Sequence, residues 1–417
     1  MDKIFELIKK EEERQRKQLE MIPSENYVSR NVLRAVGSVL MNKYSEGQVR
    51  KRYYQGNLYI DKIEEIVKKK ALKAFGLSDK DWSVNVQPVT GSIANLAVLT
   101  ALLKQGEKIL AMSLYDGGHL SHGWRLPNGK PVSLSSKIFK TSYYYVDPKS
   151  GVLNYEEIEK IAIKEKPKII ISGGTAYPRE IDHKKMGEIC KKVGAYYFAD
   201  IAHEAGLIVA GVNQSPFPFA HVVTTTTRKT LRGPVGAIIF SRRKLAPLID
   251  QAVFPGIQGG PQNHSIAGIG IALKEAMTPQ FKEYAKQVVK NAKILADEMI
   301  KYGYDVKSGG TDKHLIVIDL RNKAINGKEA AIALEKANII VNKNTVPGES
   351  GTPWEPSGIR MGTPAITSRG IKGNDIKKIA YWIHTVLSNI KDEKLIRKIA
   401  NDVSTFASKF PLPGVDM

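Results

Sequence analysis

Cysteine is nearly missing: the 417 residues contain one, Cys190. A single thiol closes no internal disulfide, so the fold must rest on a packed core, and this usage fits a reducing compartment. Cys190 lies in a helical pattern over residues 184–193 and reads as a packing residue. Long apolar runs are missing too. No stretch reaches the roughly 18 residues that span a bilayer. The first 20 residues alternate Ile, Phe and Leu with Lys, Glu and Arg at helical spacing, without a signal peptide's apolar centre. The expectation is a cytoplasmic protein with no membrane partner. Acidic residues are few beside basic ones, 42 against 63, for a formal net charge of +21. Such a balance raises nucleic-acid binding as a function class. The densest clusters (Lys9 and Lys10, Arg50 to Arg52, Lys68 to Lys70, Arg242 to Lys244) are short, however, and only one adjoins aromatics, Tyr53 and Tyr54. No zinc-finger spacing or RNA-recognition signature accompanies them, so no specific nucleic-acid partner is expected, only weak, salt-sensitive association.

What is present describes a large globular chain. A hydrophobic fraction of 42% and a charged fraction of 25% are ordinary, and the length suits two lobes. After an N-terminal helix to about residue 20, a non-helical stretch over 42–57 and a helix over 59–75, short apolar strands alternate with helices. The strands are expected at 84–86, 109–112, 169–171, 196–199, 222–225 and 237–240, with a helix at 93–103. This alternation predicts an α/β fold with a mostly parallel central sheet covered on both faces. One long helical pattern over 261–301 would bridge to a smaller α+β lobe ending in helices at 374–389 and 392–410. The expected division is 1–75 for the arm and first helices, 76–262 for the large domain, and 263–417 for the bridging helix and small domain.

Chemistry concentrates at strand ends. In the run Thr224 to Thr227, Arg228, Lys229, Thr230, Leu231, Arg232, Gly233 and Pro234, a lysine sits between hydroxyls and a chain break. Desolvation or the neighbouring Arg228 would lower its pKa and make it a nucleophile toward carbonyls. Upstream, the apolar run 195–199 ends in Asp200, with His203 three residues on. A buried strand ending in a carboxylate is poor core design, but it suits a ligand held beyond the carboxyl ends of an open sheet. Pyridoxal phosphate needs a lysine for its aldehyde and an acid for its pyridinium nitrogen; Lys229 and Asp200 supply both. Gln87 to Ser92 joins a strand to a helix and offers amides to an anion. Gly117 to Gly123 carries His119 and His122, and an imidazole there can stack on a flat ring. No cysteine or carboxylate lies at helical ligand spacing nearby, so no metal is expected. Thr175 follows another strand end. Arg360, in the glycine-bounded turn Pro356 to Pro364, suits a carboxylate bidentately. Taken singly, these groups also read as a helix cap, a structural histidine and a structural ion pair.

As an ordered set, they resemble serine hydroxymethyltransferase, a fold-type I pyridoxal-phosphate family, from about Ile22 to Arg369. The resemblance implies that Lys229 carries the cofactor, that Asp200 and His203 meet its ring nitrogen and phenolic oxygen, and that His119 stacks on it. It further implies that Gly91 and Ser92 hold the phosphate, that Thr175 and Thr226 lie beside the ring, and that Arg360 clamps the substrate carboxylate, with Ser24 nearby. Met21 to Tyr27 matches a family motif with Pro23 in place of alanine. Glu46, a solvated carboxylate on its own merits, becomes the acid/base group. Tyr44, Tyr54, Gly259 and Gly260 would serve a neighbouring subunit, which implies a homodimer with shared sites and leaves a tetramer open. Leu114, Gly118, Leu120, Thr352, Pro353 and Trp354 align with folate-contacting segments. The implied activity is reversible conversion of serine and tetrahydrofolate to glycine and 5,10-methylenetetrahydrofolate. The alternatives are a folate-independent aldolase for β-hydroxy amino acids and an α-methylserine hydroxymethyltransferase. Further positions depart from the family: Val89 and Arg228 stand for histidine, Thr90 and Thr175 for serine, Val235 for arginine, and Glu204 for an apolar residue.

Overall fold

The computed structural model describes residues 2–349 and 351–416. Its centre is a seven-stranded sheet in the spatial order Trp82–Asn85, Ala237–Arg242, Val222–Thr226, Tyr196–Asp200, Ile169–Ser172, Lys108–Met112, Lys140–Tyr144. Period-two alternation sends successive side chains to opposite faces. Leu110, Met112, Ile170, Tyr197, Ala199, Val223 and Ile238 enter one core, while Ile109, Ala111, Ile169, Ile171, Phe198, Val222 and Ile239 enter another against the helix Gly91–Leu102. A sheet apolar on both faces has to be covered on both, and this one is.

The sheet is mixed rather than wholly parallel. Ala237–Arg242 runs antiparallel to both of its neighbours, whereas the pairs from Val222–Thr226 outward to Lys140–Tyr144 are parallel. The cause lies in residues 227–236, which are fewer than the dozen or so that a parallel crossover needs. The chain can only turn back, and that tight return carries Lys229. The strand Lys140–Tyr144 was not expected from the sequence, because Lys-Thr-Ser-Tyr-Tyr shows no apolar run. It occupies an edge, where polar side chains are tolerated.

The helix expected over 261–301 is two helices, Asn263–Ala276 and Pro279–Lys301. Pro279 has no amide to continue the first helix, and it opens the second while the Thr278 hydroxyl accepts from Phe281 N at 3.3 Å. The second helix packs Phe281, Ala285 and Val288 into the large core and Leu295, Ala296 and Met299 into another. That other core lies under an antiparallel sheet ordered Asp305–Val306, Leu315–Asp319, Gly358–Gly362, Asn342–Asn344. The last helices span Asn374–Ser388 and Glu393–Ala407, shorter than expected. The first helix stops at Lys17, and Leu19–Glu20 pairs in parallel with Ile339–Ile340. Cys190 is buried in the large core and unpaired, and burial pushes its thiol far up. Among the described residues no helix is long and apolar enough to cross a membrane.

Candidate active site

Asp200 and Thr226 are the last residues of their strands, and Thr175 lies just past Ile169–Ser172. A cavity of about 160 Å³ opens beyond these ends, walled by Gly91, Ser92, His119, Thr175, Asp200, His203, Thr226 and Lys229. Arg228, Val235 and Asn95 line it as well. Residues spread over more than a hundred positions of the chain thus meet because the sheet aligns the carboxyl ends of its strands.

Asp200 is held from three sides. Its Oδ2 accepts from Asn95 Nδ2 at 2.7 Å and lies 3.0 Å from His122 Nε2, while Oδ1 accepts from Ala202 N at 3.0 Å. Thr224 Oγ1 donates to Asn95 Oδ1 at 2.7 Å and so orients that amide. Burial works to raise the carboxyl's pKa, but the His122 hydrogen bond and the nearby charges, Lys229 among them, outweigh it and hold the group ionised, well below the usual range. The backbone crowds in as well. A Cβ on Gly173, where φ is +118°, would lie 2.1 Å from the Asp200 carbonyl oxygen, so only glycine fits. A carboxylate does therefore reach the paired histidines, contrary to what local spacing suggested: ligand atoms of His119, His122 and Asp200 lie within 4.8 Å of one another. Asp200 Oδ2 already serves Asn95 and His122, so the group reads as a hydrogen-bond network.

Lys229 is buried, and its amine makes no hydrogen bond among the described residues. Burial lowers its pKa from the ordinary lysine value to about 7; Asp200 opposes the shift, while Arg360 and Arg228 add to it. Its backbone carbonyl accepts from Asn26 Nδ2 at 3.0 Å, which ties the N-terminal segment to the lysine turn. His119 Nδ1 accepts from Ser121 N at 3.2 Å, and burial, followed by His122, lowers that ring to about 3. It is a neutral imidazole in the cavity wall. Burial, followed by Lys229 and a second imidazole, His314, also keeps His203 well below the ordinary range. At the start of Gly91–Leu102, Thr90 caps Ile93 N at 3.4 Å. The first amides of such a helix have no partner within it, and Gly91 and Ser92 present theirs beside the cavity.

Arg360 lies behind this wall, buried in the strand Gly358–Gly362. Its Nη1 donates to the Thr175 carbonyl and its Nε to Asn342 Oδ1 at 2.9 Å, both neutral acceptors. A buried guanidinium without a carboxylate partner among the described residues is costly, and desolvation lowers its pKa to about 10. Ser24 is half-buried in the segment whose Met21 carbonyl accepts from Gly362 N at 2.7 Å, two residues past Arg360.

Five expected residues gather elsewhere. Tyr44 and Tyr54 meet edge to face, with ring centroids 5.5 Å apart. A Cβ on Gly259 would lie 3.0 Å from Glu46 Oε1, and one on Gly260 would lie 3.2 Å from the Tyr44 ring. None of the five lines the Lys229 cavity, and Tyr44 and Tyr54 are exposed. The remaining segments are dispersed. Leu114 borders a groove of about 540 Å³ with Tyr115 and Trp124. A Cβ on Gly118 would lie 2.2 Å from the Met112 carbonyl oxygen, Leu120 is exposed, and Thr352 to Trp354 form a turn with Trp354 largely in solvent. Sequence reasoning missed Asn95, Asn342, Lys313 and His314, and left His122 without a partner. The available signal for Asn95 was a lone amide in an otherwise apolar helix.

A family model described as serine hydroxymethyltransferase matches residues 1–383. Relatives bearing that name are 49% identical over 413 residues in Desulfotalea psychrophila, covering 99% of this chain and 95% of the relative. The Methanosarcina barkeri relative is 49% identical over 410 residues, covering 98% and 97%. A relative from Oryctolagus cuniculus, named as the cytosolic serine hydroxymethyltransferase, is 44% identical over 451 residues, covering 99% and 93%. With the match running through the cavity residues and most of both chains, this protein belongs to the serine hydroxymethyltransferase family.

Proposed function

We propose that this chain reversibly transfers the hydroxymethyl carbon of serine to tetrahydrofolate, giving glycine and 5,10-methylenetetrahydrofolate. The observation that carries the reading is the buried Lys229 amine sharing one cavity with the ionised Asp200. The donor set suits pyridoxal 5'-phosphate: a neutral-leaning amine, an acid for a pyridinium nitrogen, a neutral imidazole face at His119, and the Gly91 and Ser92 amides for a phosphate. When bound, that group supplies an aldehyde that captures amines and a ring that accepts an electron pair.

The chain's own residues supply the rest. Arg360, already fixed by Asn342 and Thr175, pairs with the serine carboxylate. Asp200 keeps a proton on the ring nitrogen, and Lys229 accepts and returns one at Nζ. Arg228 and Val235 border the same cavity, which supports Arg228 as the local cation in place of the family's arginine. Glu46 handles the proton of the hydroxymethyl oxygen. Glu46, Tyr44, Tyr54, Gly259 and Gly260 stand apart from the Lys229 cavity, which favours their service to a neighbouring subunit in a homodimer with shared sites. Leu114, Gly118, Leu120 and Thr352 to Trp354 would contact the folate. The division at 1–75, 76–262 and 263–417 and a cytoplasmic location belong to the same reading, the latter supported by the rabbit relative's name.

The deciding assay is serine-to-glycine turnover with and without tetrahydrofolate. Strong dependence on the folate supports the proposal. Equal turnover without it moves the protein to the folate-independent aldolases.

A further inference from the structure

Behind His203 stands His314, fully buried just ahead of the strand Leu315–Asp319. His203 Nδ1 and His314 Nε2 lie 3.1 Å apart, and the rings stack with centroids 5.3 Å apart and planes 23° from parallel. The flanking residues make a second contact, Lys313 Nζ to Glu204 Oε1 at 2.5 Å, with both side chains buried. Two consecutive residues of one segment thus grip two consecutive residues of another, and the ion pair keeps the imidazoles in register.

The neighbours that depress the two rings are Lys229, His314, Arg360 and His119 around His203, and Lys313, Lys229 and Arg360 around His314; the ionised Asp200 lines the same cavity as His203, and the adjoining Glu204 carboxylate is paired with Lys313. Burial first, and these neighbours second, hold both rings well below the ordinary histidine range, so both are neutral and the 3.1 Å contact contains one proton. If His203 Nδ1 owned it, His314 would need its own proton on Nδ1, and that atom has no partner among the described residues. A buried N–H without an acceptor is the rarer and costlier orphan. The opposite assignment leaves only a bare lone pair there.

The geometry points to His314 as a positioning residue: its Nε2–H donates to His203 Nδ1, fixing His203 as the Nε2–H tautomer, a hydrogen-bond donor presented to the cavity. This rests on reading the cavity as a pyridoxal-phosphate site, where that donor would meet the ring's phenolic oxygen.

The test uses full-length holoenzyme labelled with ¹⁵N-histidine. Nitrogen signals assigned by single substitution should show His203 protonated at Nε2 and bare at Nδ1; the reverse pattern overturns the inference. Two variants add a pH readout. In His314→Gln the amide N–H can still donate, so the absorbance-versus-pH profile of the bound cofactor should match the wild type. In His314→Leu the midpoint should move by about one pH unit, the worth of one hydrogen bond. An unmoved His314→Leu profile, or one that His314→Gln shares, overturns it. If His314→Leu fails to fold, the wild-type nitrogen signals and His314→Gln still decide. Were the wild-type chain to bind no pyridoxal phosphate, the proposed function would fall, while the nitrogen signals would still read the tautomer.

Discussion

The Glu204 and Lys313 pair invites a quantitative test, because its side chains are 5% and 2% exposed and their charged atoms are 2.5 Å apart. Breaking such a pair strands an unsolvated charge, which costs about 3–5 kcal/mol, whereas replacing both partners by apolar residues is about neutral or stabilising. Glu204→Gln and Lys313→Met should each destabilise by that amount, and Glu204→Leu with Lys313→Met should recover most of it. With an unfolding entropy of about 2.1 cal/mol/K per residue, such single losses lower Tm by about 3–6 °C. The pH dependence distinguishes the two singles. In Lys313→Met the lone carboxyl can take a proton, so its penalty shrinks as pH falls; in Glu204→Gln the lone amine can release one, so its penalty shrinks as pH rises. Calorimetry of the four proteins at several pH values measures this. Single variants within about 1 °C of wild type, or a double variant as unstable as the sum of the singles, would refute the reasoning.

A buried lysine with its pKa lowered to about 7 is neutral above that pH, so recapture of pyridoxal phosphate by stripped protein should accelerate with a midpoint near pH 7; a midpoint above about 9 counts against it. The stripped chain should also gain stability from about pH 7 up to the unfolded lysine value near 10.4, since the unfolded state binds more protons in that window. Arg360→Lys loses the planar fork that Asn342 and Thr175 orient, and should raise the KM for serine about 10- to 100-fold in steady-state assays; a change under twofold would deny it the carboxylate. Lys229→Ala and Tyr54→Ala chains, each inactive alone, should regain activity when co-expressed, because one site of the mixed dimer is then wild type. Persistent inactivity of a purified mixed dimer would confine each site to one chain.

The sequence carried the large sheet and most of the cavity wall because both are written locally. Asp200 and Thr226 end apolar strands, and the Gly91 turn opens a helix, so each announced itself by polarity where a buried run stops. Other features depend on partners far along the chain. Glu204 looked like an anomaly beside His203 until Lys313, 109 residues away, came to meet it. Asn95 and Asp200 are 105 apart, and no local pattern joins them. The reversed strand follows from the shortness of residues 227–236, and hydrophobic periodicity carries no information on the length of a connection. Residues 263–301 keep one amphipathic stripe across Met277 and Thr278, so the pattern ran through a break that Pro279 marked.

The helix Pro279–Lys301 rises about 34 Å at 1.5 Å per residue. Its two halves are committed to different cores, so neither core can melt without stripping one end of a continuous hydrogen-bonded rod. Denaturation should then be a single cooperative event shared by both cores, and the same rod touches the lysine turn at one remove, because Asn26 Nδ2 donates both to the Tyr284 hydroxyl at 2.7 Å and to the Lys229 carbonyl.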